Sequence, residues 1–314
     1  MQRVFFVKRV IFRHTIGHNI TENTMNRILI TGKTGQVGYE LERSLQGLGE
    51  IIAVDRSQMD LSNLEQVRDV IRSVKPTLIV NPAAYTAVDQ AEREPELAQR
   101  INGEAPGVMA EEARKLGATL IHYSTDYVFD GSKDGAYVET DPTCPINVYG
   151  SSKLAGEQAI EATGVAHLIL RTSWVYSTHG KNFLLTMRRL AKERDALNVV
   201  ADQFGAPTWS RTIADTTAHI VAQSLAAADQ QAWWAQHSGL YHLTAQGKTT
   251  WFGFAEAIMA HASVAKKPQL TPIPASQYPV PAKRPANSAL SSQKLMDTFC
   301  GLPNWQDALQ LCQD

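Results

Sequence analysis

The stretch that decides the fold is Ile28-Leu29-Ile30-Thr31-Gly32-Lys33-Thr34-Gly35-Gln36-Val37-Gly38. A short apolar strand runs into glycines at i, i+3 and i+6. A helical pattern follows over 36–48, with Val37, Leu41, Leu45 and Leu48 on one face. Gly32 permits a tight turn, Gly35 lets backbone approach a pyrophosphate, and Gly38 lets the helix sit close to the strand. The helix N-terminus then offers free N–H groups and a partial positive charge to phosphates. Strand before and helix after are the context that such a glycine triplet requires to mean dinucleotide binding.

Outward from this loop the same alternation repeats. Apolar runs at 51–54, 78–80, 119–123 and 167–170 read as strands. Helical patterns lie between them: from about Asn63 with Ser62 as cap, across 94–116 up to Gly117, and across 148–162. Strands alternating with helices predict a parallel sheet in an α/β protein, and unbroken apolar strands predict cover on both faces. The expectation is a Rossmann-type doubly wound sheet over 25–175, completed by about 212–240. A smaller, loop-rich substrate lobe is expected from 176–211 and 241–314. Residues 268–288 carry six prolines and read as irregular chain; 126–147 reads as a long loop.

The bulk numbers exclude several classes. A net charge of -1 over 314 residues, with acids and bases interspersed, leaves no nucleic-acid footprint and no polybasic membrane patch. Three cysteines without metal-like spacing suit a reducing cytoplasm. No apolar run reaches membrane-spanning length. Residues 1–24 carry four basic residues and one acid, lack a signal-peptide core, and precede a second methionine, Met25. They are expected to be an upstream-start artefact or a loose arm.

Two further features carry chemistry. Asp55 ends the second strand about 20 residues past the glycines, where a carboxylate accepts from the adenosine ribose and favours NAD. Arg56 follows at once and suits a 2′-phosphate, so NADH and NADPH both stay open. Asp60-Leu61 stands where an adenine contact is expected; Asp60 reads equally as a capping acid. Tyr149 and Lys153 form Y-x-x-x-K on a predicted helix, and i, i+4 places them on one face. An unperturbed phenol titrates at about 10, and a neighbouring ammonium is expected to lower it toward working pH. Thr125 lies at the carboxyl end of the preceding strand, where its hydroxyl can bond the reacting oxygen.

The glycine spacing, Tyr149 and Lys153 resemble the extended short-chain dehydrogenase/reductase family. Longer strings resemble its dTDP-4-dehydrorhamnose reductase branch: 81–89 (NPAAYTAVD), 124–131 (STDYVFDG), 171–176 (RTSWVY), 202–208 (DQFGAPT) and 281–288 (PAKRPANS). The resemblance implies transfer of a hydride from NADPH or NADH to C4 of dTDP-4-dehydro-L-rhamnose. In that reading Tyr149 protonates the oxygen, Thr125 bonds it, and Lys153 assists Tyr149 and holds ribose. Gly35, Gln36 and Val37 would meet the pyrophosphate. Ala83, Ala84, Tyr85 and Thr86, with Tyr123, would line the cofactor. Asp126 and Trp174 would contact the sugar nucleotide, and Arg284 its diphosphate.

The resemblance also brings a Mg²⁺-bridged dimer into view, because Glu40 matches one ligand position. Arg211 stands where those relatives carry Glu, and a guanidinium cannot bind Mg²⁺. The metal bridge is therefore not expected, and monomer and homodimer both stay open. A dehydratase would need a second acid after Asp126, where Tyr127 stands. The alternatives of the same fold are a non-catalytic NADP-binding regulatory subunit and another nucleotide-sugar epimerase or reductase.

Overall fold

A computed structural model describes residues 26–261 and 266–314; the reading of residues 1–24 lies outside the described residues. Six parallel strands form the central sheet: β1 (Arg27–Ile30), β2 (Glu50–Ala53), β3 (Leu78–Asn81), β4 (Thr119–Thr125), β5 (His167–Thr172) and β6 (Gly239–His242). Their order is β2-β1-β3-β4-β5-β6. The order reverses between β1 and β3, and a ligand crevice opens outside the strand ends at such a point.

The apolar strands have two buried faces. Ile28, Ile30, Leu78, Val80, Ile121, Tyr123, Leu168 and Leu170 point into one core, shared with α1 (Gln36–Ser44) and a helix at Ser210–Ala226. The intervening Leu29, Ile79, Leu120 and Ile169 point into the other, against α2 (Leu64–Val74), α3 (Ala105–Leu116) and α4 (Val148–Thr163). Period-two side chains meeting helices on both sides are what remove the polar positions from these strands.

A third cluster lies beside the sheet, built from Tyr176, Leu184, Met187, Phe254, Ile258, Trp305 and Leu309. It joins the helices Phe183–Glu193, Trp251–Ala260 and Trp305–Gln313. Leu295 and Leu302 leave this region and return to the first sheet core.

Several local expectations are corrected. The cap of α2 is Asn63, whose side chain accepts from Gln66 N, and not Ser62. Ser62 instead donates, through N and Oγ, to Asp60. The proline-rich segment is not wholly irregular: Gln269–Ile273 pairs in parallel with Ala196–Val200. Pro272 is tolerated because this sheet has only two strands and each is an edge. The run over 94–116 is interrupted by a π-helical turn at Arg100–Glu104. Helix α1 stops at Ser44, four residues early.

Candidate active site

The glycine loop and the chain after β3 face each other across the switch point. Gly32 (φ 60°) turns back over Ala83, and α1 begins at Gln36. A Cβ on Gly38 would stand 2.2 Å from the Gly32 carbonyl oxygen, so only glycine permits this close approach. The resulting cleft of about 470 Å³ is lined by Gly32, Gly35, Gln36, Val37, Gly38, Ala83, Ala84, Thr86, Tyr123, Tyr149 and Lys153. An adjoining cleft of about 300 Å³ shares Gly32, Ala83, Ala84 and Thr86 and adds Arg56, Asp60, Leu61 and Tyr85. The expected cofactor residues thus converge, apart from Asp55, which lines neither cleft. Its carboxylate accepts from Ser57 N at 2.9 Å and Ser57 Oγ at 2.6 Å. Those bonds lead, and with Lys33 nearby they hold it below its ordinary value.

The shape and donors fit a dinucleotide. Ser124 and Thr172 line the larger cleft, and their buried hydroxyls have no protein partner. Buried orphan hydroxyls at a cleft wall are groups a ligand would satisfy. Lys181 also lines this wall, a cation that motif reading missed.

Tyr149 and Lys153 line the larger cleft, whereas Thr125 is buried and lines neither cleft. Helix α4 is capped by Asn147, whose side chain accepts from Gly150 N at 2.7 Å. A Cβ on Gly150 would lie 2.1 Å from the Tyr127 carbonyl oxygen, so glycine brings the helix against the turn after β4. Tyr149 lies near Thr125, whose hydroxyl acts to lower the phenol. Its phenol is not lowered, as expected from sequence, but pushed up to about 12, because burial dominates and the Asp126 charge adds to it. The ammonium that should have lowered it is engaged elsewhere. Lys153 Nζ donates to the Tyr123 carbonyl at 2.6 Å and lies 3.0 Å from His122 Nε2. Burial lowers Lys153 to about 8, against the opposing charge of Glu157.

Asp126 is buried behind this group. It accepts from Thr125 Oγ1 at 3.0 Å and from Ser173 Oγ at 3.0 Å. Burial raises its carboxyl to about 6 despite hydrogen bonds from Ser288, Ser173 and Thr125.

A second cleft, of about 430 Å³, lies beyond Tyr127 and is lined by Phe183, Met187, Asn198, Trp251, Tyr278 and Arg284, among others. The rings of Tyr127 and Tyr149 meet edge-on at 5.9 Å, so these two side chains stand between the clefts. Arg284 does face the second cleft, but its fork is already engaged: Nη1 and Nη2 each donate to Asp89 at 2.9 Å. Burial would raise Asp89, yet the Arg284 bonds and charge hold it below its ordinary value. Trp174 lies one layer back. Its backbone is left-handed (φ 46°), a strained state for an indole-bearing residue, and its ring stacks on Trp251 at 3.6 Å. Trp251 presents the aromatic surface to the cleft.

Glu40 is buried on α1, close enough for its charge to raise the Cys312 thiol, for which burial is the larger cause. Arg211 pairs with Asp215 at 3.8 Å. Among the described residues no three His, Cys, Asp or Glu side chains gather as a metal site would require. No helix among them is long and apolar enough to cross a membrane.

Fold and clefts together define a Rossmann-type protein built to hold a dinucleotide beside a second ligand. The family described as RmlD substrate binding domain matches residues 25–314. A dTDP-4-dehydrorhamnose reductase of Burkholderia thailandensis is 50% identical over 293 residues, covering 91% of this chain and 97% of that one. The Escherichia coli K12 protein of the same name is 49% identical over 288 residues, covering 89% and 94%. The crystal structure of the Bacillus anthracis dTDP-4-dehydrorhamnose reductase in complex with NADP superposes with a TM-score of 0.84 at 34% identity, covering 92% and 99%. The chain belongs to the dTDP-4-dehydrorhamnose reductase family, within the extended short-chain dehydrogenases/reductases.

Proposed function

We propose that this chain reduces the C4 carbonyl of dTDP-4-dehydro-L-rhamnose to the alcohol of dTDP-L-rhamnose, the last step in making that sugar donor, in the cytoplasm. The observation that carries this reading is the Tyr127–Tyr149 partition. It puts a proton donor, Tyr149, at the boundary between a dinucleotide cleft and a second cleft with an aromatic wall and an arginine. Bound nicotinamide supplies the hydride. Tyr149 donates its phenolic proton to the oxygen as that oxygen gains charge, and Thr125 holds the same oxygen. A phenol held near 12 is protonated throughout the neutral range, as an acid in the reducing direction needs to be. Lys153, with two of its three protons engaged at Tyr123 and His122, keeps one for the cleft it lines.

At the adenosine end the balance favours NADPH. Arg56 lines the cleft with its side chain largely exposed and a long 3.4 Å contact to Asp60, whereas Asp55 accepts two shorter bonds from Ser57. Arg284 is the group for the substrate diphosphate, exchanging Asp89 for it. Purified protein given dTDP-4-dehydrorhamnose should oxidise NADPH stoichiometrically, and NADH less efficiently. No oxidation with either cofactor overturns the reading. Tyr149→Phe should lose about 10²- to 10⁴-fold in turnover and still bind NADPH.

A further inference from the structure

Behind the catalytic lysine, itself on α4, runs a line of three buried polar groups: Thr31 just past the end of β1, Asn81 at the end of β3 and His122 in β4. Thr31 Oγ1 lies 2.6 Å from Asn81 Oδ1, Asn81 Nδ2 lies 3.0 Å from His122 Nδ1, and His122 Nε2 lies 3.0 Å from Lys153 Nζ. All four residues are about 1% exposed or less. Neither ring nitrogen of His122 reaches water, and the ring contacts no ligand cleft, so motif reading gave it no role. It is nevertheless the only side chain within hydrogen-bonding distance of Lys153 Nζ among the described residues.

The direction of this line is tied to the charge of Lys153. An ammonium has donors only, so while Lys153 is charged His122 Nε2 must accept. The neutral ring then carries its proton on Nδ1, and Asn81 turns its oxygen toward it. A half-turn of the amide does this and leaves its NH₂ facing the Thr31 oxygen. When Lys153 is an amine, the opposite polarity fits: Thr31 donates to Asn81, Asn81 to Nδ1, and Nε2–H to the lysine lone pair. Asn81, His122 and Lys153 each keep a partner in both states, but only by reversing together, while the Thr31 oxygen accepts from Ala83 N throughout.

We infer that His122 is a positioning residue for the reduction: its Nε2 accepts from Lys153, holds the ammonium between Tyr123 and the cofactor cleft, and keeps it charged at neutral pH. This rests on the reductase reading for its kinetic consequence, though not for its geometry. The titratable or charged groups facing Lys153 are His122 and Tyr123 from β4, Tyr149 and Glu157 from α4, and, through Glu157, Arg171 from β5. From β3 comes only the neutral Asn81. Burial, helped by the Lys153 charge, holds His122 well below its ordinary value, so the ring changes tautomer without ever gaining charge.

The first test uses the unaltered protein with ¹⁵N-labelled histidine, the His122 signals being assigned by their absence in His122→Gln. At pH 6.5 the Nδ1–H tautomer is expected. It should pass to Nε2–H as Lys153 loses its proton near 8. A ring that is Nε2–H throughout, or that becomes cationic, overturns the inference whether or not the protein reduces the sugar nucleotide. The second test is the pH profile of kcat. His122→Phe keeps a planar ring and removes the acceptor, and its alkaline limb should move down by about one pH unit. His122→Gln, whose amide oxygen can accept, should restore the limb. A purely structural role would lower kcat equally at all pH values, and an unmoved limb in folded His122→Phe refutes the proposal. Should His122→Phe not fold, the tautomer measurement decides.

Discussion

Asp126→Asn should stabilise the protein, increasingly as pH rises. The carboxyl is 3% exposed, and burial lifts it from 3.8 to about 6. Between those values the folded state holds a proton that the unfolded chain releases, so stability falls as pH rises through this window. The destabilisation is absent well below 3.8 and complete above about 6, where it amounts to about 3 kcal/mol. At pH 4.5 only about 1 kcal/mol of it has developed. An asparagine carries no charge to bury, and the neighbouring Ser173 and Thr125 hydroxyls can rotate to meet its NH₂. Any loss from imperfect amide geometry is independent of pH and cancels when two pH values are compared. The assay is urea unfolding followed by tryptophan fluorescence, for both proteins, at pH 4.5 and 8. The advantage of the variant should grow by about 2 kcal/mol between them. An advantage that stays constant, or shrinks with pH, would refute the claim that a buried, reluctantly ionised carboxyl sits here. A side chain that weakens the fold at working pH is understandable beside Thr125 and Tyr149, because functional sites retain such groups.

Three further outcomes are expected. Gly38→Ala forces its methyl onto the Gly32 carbonyl, so NADPH affinity measured by fluorescence titration should fall at least about tenfold; an unchanged Kd would show that the loop does not form the pyrophosphate seat. Arg171 and Glu157 form a buried bidentate pair at 2.9 and 2.6 Å. Arg171→Met alone should cost about 3–5 kcal/mol in urea unfolding, and adding Glu157→Leu should recover most of it; additive losses would contradict the pairing. Arg284→Ala should raise KM for the sugar nucleotide by about 10- to 100-fold and leave KM for NADPH unchanged. Equal effects on both would place Arg284 outside the substrate site.

Much of this protein is legible without coordinates, for a definable reason. Strand and helix periodicities are local, so the doubly covered strands and the amphipathic α1 can be read from spacings of two and of three to four residues. The glycine loop is likewise encoded within seven residues, and Tyr149 with Lys153 within one helical turn. Capping and edge pairing are weaker local signals, which is why Asn63 displaced Ser62 and a proline-bearing strand formed at 269–273. What only the tertiary structure decided are the pairings across sequence. Strand order sets β4 beside β3, and so brings His122 to Asn81, 41 residues away, while α4 lays Lys153 against that same histidine. The return of the chain at 281–288 gives Arg284 to Asp89, 195 residues away, and the lobe stacks Trp174 behind Trp251. The sign of the Tyr149 shift belongs here too. An i, i+4 spacing promises a cation near the phenol, but where the ammonium points depends on the acceptors that neighbouring strands offer it, and His122 and the Tyr123 carbonyl take it first.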